Sequence, residues 1–134
     1  MDIENITLNY YLTTTEEMRE ALWPLRLAYG DFGYVLKDPE IYKTLQVVLA
    51  ESVSGAIFGW AGIYYRADGL VTVGIFVREG YRHKGLGGRL KDKAISICKE
   101  QGKDCFWQDT KAGNIWVHVK PDGTVIKPYF TTMI

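Results

Sequence analysis

The stretch Val71–Gly88, Val-Thr-Val-Gly-Ile-Phe-Val-Arg-Glu-Gly-Tyr-Arg-His-Lys-Gly-Leu-Gly-Gly, decides how this chain is read. A β-branched, apolar run ends at Arg78-Glu79-Gly80 and passes into a glycine-rich turn. From Leu86 the apolar positions fall at Leu86, Leu90, Ala94, Ile97 and Cys98, the spacing of an amphipathic helix that Gly102 ends. A strand, a turn and a helix in that order aim several backbone N–H groups at one point. A helix N-terminus has unsatisfied donors and about half a unit of positive charge, so the unit suits a diphosphate.

The regions on either side extend the pattern. Ile6–Leu12 is rich in Ile, Leu and Tyr and reads as a first strand. Thr14 with Glu17 forms a capping box, and Met18, Ala21, Leu22 and Leu25 follow at helical spacing. Pro24 is expected to kink or shorten that helix, which stops by Gly30. Asp38-Pro39 opens a second, short helix, with proline at its first position. Val47–Glu51 reads as a strand, Ser52–Gly55 as a turn and Ile57–Tyr65 as the next strand. Asp68-Gly69 then signals a hairpin into Leu70–Val77, making an antiparallel meander. After the helix near Leu86–Glu100, Cys105–Gln108 gives a fifth strand, parallel to the fourth because a helix separates them. Ile115–Lys120 and Thr124–Lys127 flank Pro-Asp-Gly as a terminal hairpin. The expected architecture is one continuous α/β (α+β) domain over residues 1–134. Its order is β-α-α-β-β-β-α-β-β-β, around a mixed, mostly antiparallel sheet.

Sixteen basic and sixteen acidic residues cancel, which leaves no global field to attract nucleic acid or a membrane surface. Arg78, Arg82, Lys84, Arg89, Lys91 and Lys93 nevertheless crowd one segment, opposed only by Glu79 and Asp92. A patch of that size suits a small anion better than a polyanion. Arg89, Lys91 and Lys93 are expected to form a solvated helix face. No apolar run approaches the roughly 20 residues of a membrane span, and the acidic start is unlike a signal peptide. Cys98 and Cys105 have no metal-type spacing and read as buried small hydrophobes, so no metal site and a reducing, cytoplasmic setting are expected.

Val77 followed by Arg82-His83-Lys84-Gly85-Leu86-Gly87 resembles the Arg/Gln-x-x-Gly-x-Gly/Ala signature of the GCN5-related N-acetyltransferases. The likeness spans Ile6–Gln108, with Val71–Gly102 carrying most of it. It implies acetyl-CoA as co-substrate and an amine as acceptor. In such enzymes the loop amides, here from His83 through Lys84, Gly85, Leu86 and Gly87 to Gly88, hold the pyrophosphate. Gly85 and Gly87 let the backbone approach the phosphates without a Cβ in the way. Arg82 and Lys84 add charge from the side. Main-chain groups of Phe76 and Val77 would pair with the pantetheine arm. The thioester would lie between Phe76-Val77 and Cys105–Gln108, where the family's fourth and fifth strands splay. Asn114 would contact pantetheine, and the Val77 N–H would serve the developing oxyanion.

The chain departs from the family in two places. Leu70–Val77 holds no carboxylate to act as a base, Thr72 being its only polar side chain. Asp109–Asn114 is too short for the fourth helix that carries the family's tyrosine acid. Tyr129 and His118 are the substitute candidates, each also readable as structural, with His118 on an alternating strand where it shares an expected exposed face with Trp116 and Lys120. Trp23, Tyr29, Asp31, Phe32, Tyr34 and Trp116 are available to an acceptor pocket. Two functions follow: direct acetyl transfer to a primary amine in a ternary complex, or a non-catalytic protein on the same fold that binds acyl-CoA or a partner. The terminal hairpin offers a surface for a homodimer.

Overall fold

The computed structural model describes residues 5–23, 36–65, 69–82, 84–109 and 115–127. The elements are β1 (Thr7–Tyr11), α1 (Glu16–Leu22), α2 (Pro39–Tyr42), β2 (Gln46–Glu51), β3 (Ile57–Tyr65) and β4 (Val71–Val77). After them come α3 (Leu86–Glu100), β5 (Cys105–Asp109), β6 (Ile115–Val119) and β7 (Val125–Ile126). They build one seven-stranded sheet in sequential order. Neighbours pair antiparallel except β4 and β5, whose parallel ladder joins Thr72 to Phe106 and Val73 to Trp107. A crossover through α3 is what permits that one parallel pair. Among the described residues the order of elements is the one read from the sequence.

Each face of the sheet has its own apolar cover. On one, Leu86, Leu90, Ala94, Ile97 and Cys98 of α3 pack over Val48, Ala61, Ile63, Val71, Val73, Cys105, Val117 and Val119. On the other, Leu22, Leu36, Tyr42 and Leu45 pack over Val47, Leu49 and Trp60. β2 is therefore buried on both sides, which explains why Gln46–Glu51 reads as a continuous apolar run and not an alternating one. A polar cluster pins the far end of α3. Gln101, its C-cap, donates to the Tyr10 hydroxyl at 3.0 Å and to the Gln46 side chain at 3.1 Å. Tyr10 donates to Gln46 at 2.6 Å, and the Tyr65 hydroxyl donates to Gln101. Burial pushes both phenols above their ordinary pKa.

Several local expectations shift. The cap of α1 is Thr15, whose hydroxyl accepts from the Met18 N–H at 3.1 Å. Thr14 is instead buried, donating its hydroxyl to the Leu45 carbonyl at 2.8 Å. Three consecutive threonines allow either register, and the tie to Leu45 selects this one. Asp38 does cap α2 with Pro39 in its first turn, accepting from the Glu40 N–H at 3.0 Å. The terminal hairpin forms, but β7 is only Val125–Ile126 and both residues are exposed. Pro24, Gly30 and Asp68 lie outside the described residues.

Candidate functional site

The site grows from the end of β4. The ladder between β4 and β5 stops at Val73 and Trp107, so Gly74–Val77 is paired to β3 alone. The two parallel strands thus part towards their C-terminal ends. Backbone parity decides what faces the gap. The Arg78 N–H donates to the Phe58 carbonyl at 2.8 Å, which fixes 58 and 78 as a hydrogen-bonded pair. By alternation Phe76 and Gly74 also spend their polar groups on β3, while Ile75 and Val77 turn theirs towards β5. Of the expected pair Phe76 and Val77, Val77 turns its main-chain groups towards the gap and Phe76 turns its own towards β3, while Ile75 shares the direction of Val77. Motif matching alone does not reveal Ile75, because strand parity is set by the register of the preceding hairpin.

Beyond β4 the chain turns sharply. The Tyr81 N–H donates to the Arg78 carbonyl at 3.0 Å, and the Tyr81 ring packs on Phe58 with centroids 4.5 Å apart. That contact anchors the turn to the core. Arg82 folds back: its Nε donates to the Val77 carbonyl at 2.8 Å, and its guanidinium lies 5.8 Å from the centre of the Phe76 ring. The expectation of a cation at the side is thereby refined. One edge of the guanidinium straps the strand end, and only the Nη atoms remain for an anion.

Gly85 is the N-cap of α3, with φ of 84° and no side chain bonded to the cap. Only glycine adopts that backbone without strain. The first turn of α3 contains no acidic residue, and its amides receive no side-chain cap. A Cβ at Gly88 would meet nothing within 4 Å, and one at Gly87 would make only ordinary contact with Val77 at 3.5 Å. The protein's own packing therefore does not require glycine at either position. Gly59 differs: a Cβ there would sit 2.8 Å from the Phe76 carbonyl and 3.1 Å from Leu90. That glycine lets β3 run close beneath the end of β4 and the first half of α3. Arg78, Lys84 and Arg89 are exposed and form no ion pair with the described residues. A helix start without a side-chain cap, with exposed cations before, within and just after the turn, fits a diphosphate.

Lys91 departs from the solvated face expected for it. Its ammonium lies 4.5 Å from the centre of the Trp107 ring, and its side chain is largely covered. His118 departs too, being buried where an exposed face was expected. Its Nε2 lies 3.0 Å from an Asp104 carboxylate oxygen, and its ring stacks on Phe106 at 4.4 Å. The pair Phe106–His118 sits level with Thr72, four strand residues from Phe76. That is about 13 Å along the sheet from the end of β4. Trp116, level with Gln108, is closer to the gap, and Trp23 is held beside Arg19 at 4.7 Å. Cys98 and Cys105 are free and buried, and the neighbouring Cys105 thiol together with burial pushes Cys98 far above its ordinary pKa. His83, Asn114, Tyr129, Tyr29, Asp31, Phe32 and Tyr34 lie outside the described residues. Among the described residues no helix is long and apolar enough to cross a membrane.

A sheet that opens beside a helix N-terminus, with strand amides facing the gap, defines a class of proteins that bind an extended, phosphorylated cofactor. The chain matches the Acetyltransferase (GNAT) family model over residues 8–118 and belongs to that family. Its fold is similar to an acetyltransferase of the GNAT family from Staphylococcus aureus Mu50, at 22% identity and a TM-score of 0.57, covering 77% of this chain and 73% of that one. It is similar to a GCN5-related N-acetyltransferase from Kribbella flavida, at 16% identity and a TM-score of 0.57, over 87% and 75% of the two chains. A phosphinothricin acetyltransferase from Sinorhizobium meliloti, in complex with AcCoA, aligns at 17% identity and a TM-score of 0.56, over 78% of this chain and 65% of that one. No curated protein sequence matches the chain.

Proposed function

We propose that this protein is an acetyl-CoA-dependent N-acetyltransferase that moves the acetyl group directly to a primary amine. The observation behind the proposal is the first turn of α3, which has no side-chain cap and no acidic residue, and which follows the β4 end where β4 and β5 part. Acetyl-CoA supplies an acetyl group activated as a thioester. The amides of residues 83–88 hold the diphosphate, with Arg82 Nη and Lys84 adding charge. The Ile75 and Val77 main chain aligns the pantetheine arm like an added strand. The Val77 N–H, directed away from β3, would donate to the thioester oxygen where negative charge develops, a donor fixed before the reaction begins. Asn114 and Tyr129 belong to the reading as a pantetheine contact and a proton donor.

Neither cysteine suits an acyl-enzyme route. Both thiols are buried on the α3 face, and Cys105 begins β5 at the end remote from the gap. His118 acts as a strut in this reading, because its imidazole is committed to Asp104 and Phe106 far from Val77. No carboxylate stands on β4, so deprotonation of the amine falls to water or to a side chain of a neighbouring strand, or needs no dedicated base. That same lack favours the second reading, a family member that binds acyl-CoA without turnover.

Two measurements test the proposal. Acetyl-CoA at 100 times its dissociation constant adds about 2.7 kcal/mol to stability and raises the melting temperature. No shift at millimolar acetyl-CoA would exclude the cofactor site. Free-thiol release is then followed with polyamines, amino acids and protein amines. A thermal shift without thiol release from any of them would establish the non-catalytic reading.

A further inference from the structure

Arg89, Lys91 and Lys93 stand at alternate positions of α3, and only the middle one turns inwards. Arg89 and Lys93 are exposed, whereas the Lys91 side chain keeps 29% of its surface and sets its ammonium 4.5 Å from the centre of the Trp107 ring. Trp107 is the last residue of β5 paired to β4, and it packs on the α3 side of the sheet. The ammonium thus lies at the floor of the gap between the two strands.

Its height along β4 follows from the neighbouring helix residues. A Cβ at Gly87 would lie 3.5 Å from Val77 Cγ2, so the first turn of α3 is level with Val77. Leu90 Cδ1 would lie 3.1 Å from a Cβ on Gly59, the residue opposite Val77. Lys91 follows Gly87 by one turn, about 6 Å along a helix that runs back against β4. Its backbone is therefore near the level of Ile75, two strand residues or about 7 Å before Val77. From there its side chain reaches to Trp107, level with Val73. It crosses the α3 side of the gap alongside the stretch of β4 whose main chain faces β5.

The charge of Lys91 is not spent within the protein. The Asp92 carboxylate is 3.8 Å away, outside hydrogen-bonding distance, and 77% exposed. On β5 the Asp109 carboxylate is bonded to Lys127 at 2.8 Å. An aromatic face holds an ammonium in place without cancelling its charge, as a carboxylate would. A partly desolvated cation of this kind attracts an arriving anion more strongly than one in water does.

We infer that Lys91 binds the sulfur that leaves acetyl-CoA, holding it as a thiolate. This rests on the acetyltransferase reading and assigns the leaving-group half of its chemistry. The amine's electron pair forms the new C–N bond, the C–S bond breaks with its pair on sulfur, and the nitrogen's proton passes to water. Negative charge thus grows on two atoms, the oxygen that meets the Val77 N–H and the sulfur that meets Lys91. Lys91 supplies charge and keeps its proton.

The test measures the affinity of coenzyme A by isothermal titration from about pH 6 to about pH 9, beside an analogue in which hydrogen replaces the thiol. An opposite charge within about 4–6 Å favours the ionised form, so the bound thiol should ionise at a lower pH than the free one. Coenzyme A should therefore bind at least about tenfold more tightly at the upper end of that range than at the lower, relative to the analogue. Lys91→Met keeps an unbranched stem against Trp107 and removes the charge. It should abolish the thiol-specific gain, leave the affinity for acetyl-CoA within about threefold, and lower kcat on the order of 10–100-fold. Lys91→Arg retains the cation and should restore part of both. Identical pH profiles for coenzyme A and the analogue on the parent protein would overturn the inference. So would a Lys91→Met protein that binds acetyl-CoA and coenzyme A equally weakly, the mark of a structural or phosphate-binding lysine. Failure of the parent protein to bind acetyl-CoA at all would overturn the acetyltransferase reading as well.

Discussion

Gly88→Asp is the substitution whose effects on folding and on cofactor binding should have opposite signs. Gly88 is the third residue of α3, exposed, and a Cβ there meets nothing within 4 Å. The first turn holds no acidic residue, so an aspartate would complement the helix dipole by about 0.3–1 kcal/mol. Replacing glycine in a helix adds roughly 0.3 kcal/mol more. The protein without ligand should therefore gain roughly 2–6 °C in melting temperature. The same carboxylate lies beside the amides that would hold a diphosphate. Two like charges roughly 5 Å apart at an effective dielectric near 20 repel by about 3 kcal/mol, and salt screening halves that. The dissociation constant for acetyl-CoA should rise on the order of 10–150-fold. Gly88→Asn supplies the control, with similar shape, no charge and near-normal affinity. Isothermal titration in low and high salt, beside thermal melts, reads both effects at once. A Gly88→Asp protein that is more stable and binds acetyl-CoA as tightly as the parent would refute the cradle.

Four further outcomes follow from the described contacts. Arg82→Ala should weaken acetyl-CoA binding by about 1.5–3 kcal/mol, on the order of 10–150-fold. Arg82→Lys should recover little in titrations, since lysine cannot bond the Val77 carbonyl and a phosphate with one planar group. Gly59→Ala should destabilise the fold by about 1–3 kcal/mol in urea melts, because its Cβ must push the Phe76 carbonyl out of the way. Tyr10 and Tyr65 have raised pKa values, so the folded state favours their neutral phenols, and their stabilisation is complete below about pH 10 and lost above it. The urea midpoint should fall as pH rises past about 10, and Tyr65→Phe should lessen that fall. His118→Gln should cost about 1–2 kcal/mol of stability yet leave thiol release within about threefold of the parent. A loss of turnover at unchanged acetyl-CoA affinity would restore His118 as a base.

The sequence was most legible where one local rule acted alone. The apolar positions of α3 lie on a single stripe, and all five that the spacing selects are buried. Strand β3 runs from Ile57 to Tyr65 as read, because turn residues bound it on both sides. Legibility failed where tertiary contact chose among equivalent local options. Thr14 and Thr15 are equal as caps until the Leu45 carbonyl claims one of them. His118 alternates with the apolar Val117 and Val119 as an exposed residue would, but Phe106 and Asp104 come from a different strand and its approach, and they enclose it. Arg82 matches a motif position, yet its bond to the Val77 carbonyl depends on how tightly the turn closes.

One geometric parity orders both faces of the sheet beside the gap. The register that sets Gly59 opposite Val77 also sets Gly62 opposite Gly74 and Trp60 opposite Phe76. It directs the amides of Ile75 and Val77 into the gap, and it places the side chains of Thr72 and Phe76 on the face away from α3. A slip of one residue between β3 and β4 would reverse both at once, since side-chain direction alternates with every residue. Gly59 helps to hold the register, because any larger residue there collides with the Phe76 carbonyl. Gly59→Ala should consequently weaken acetyl-CoA binding in titrations as well as stability, although its own side-chain position faces Leu90 on the α3 face.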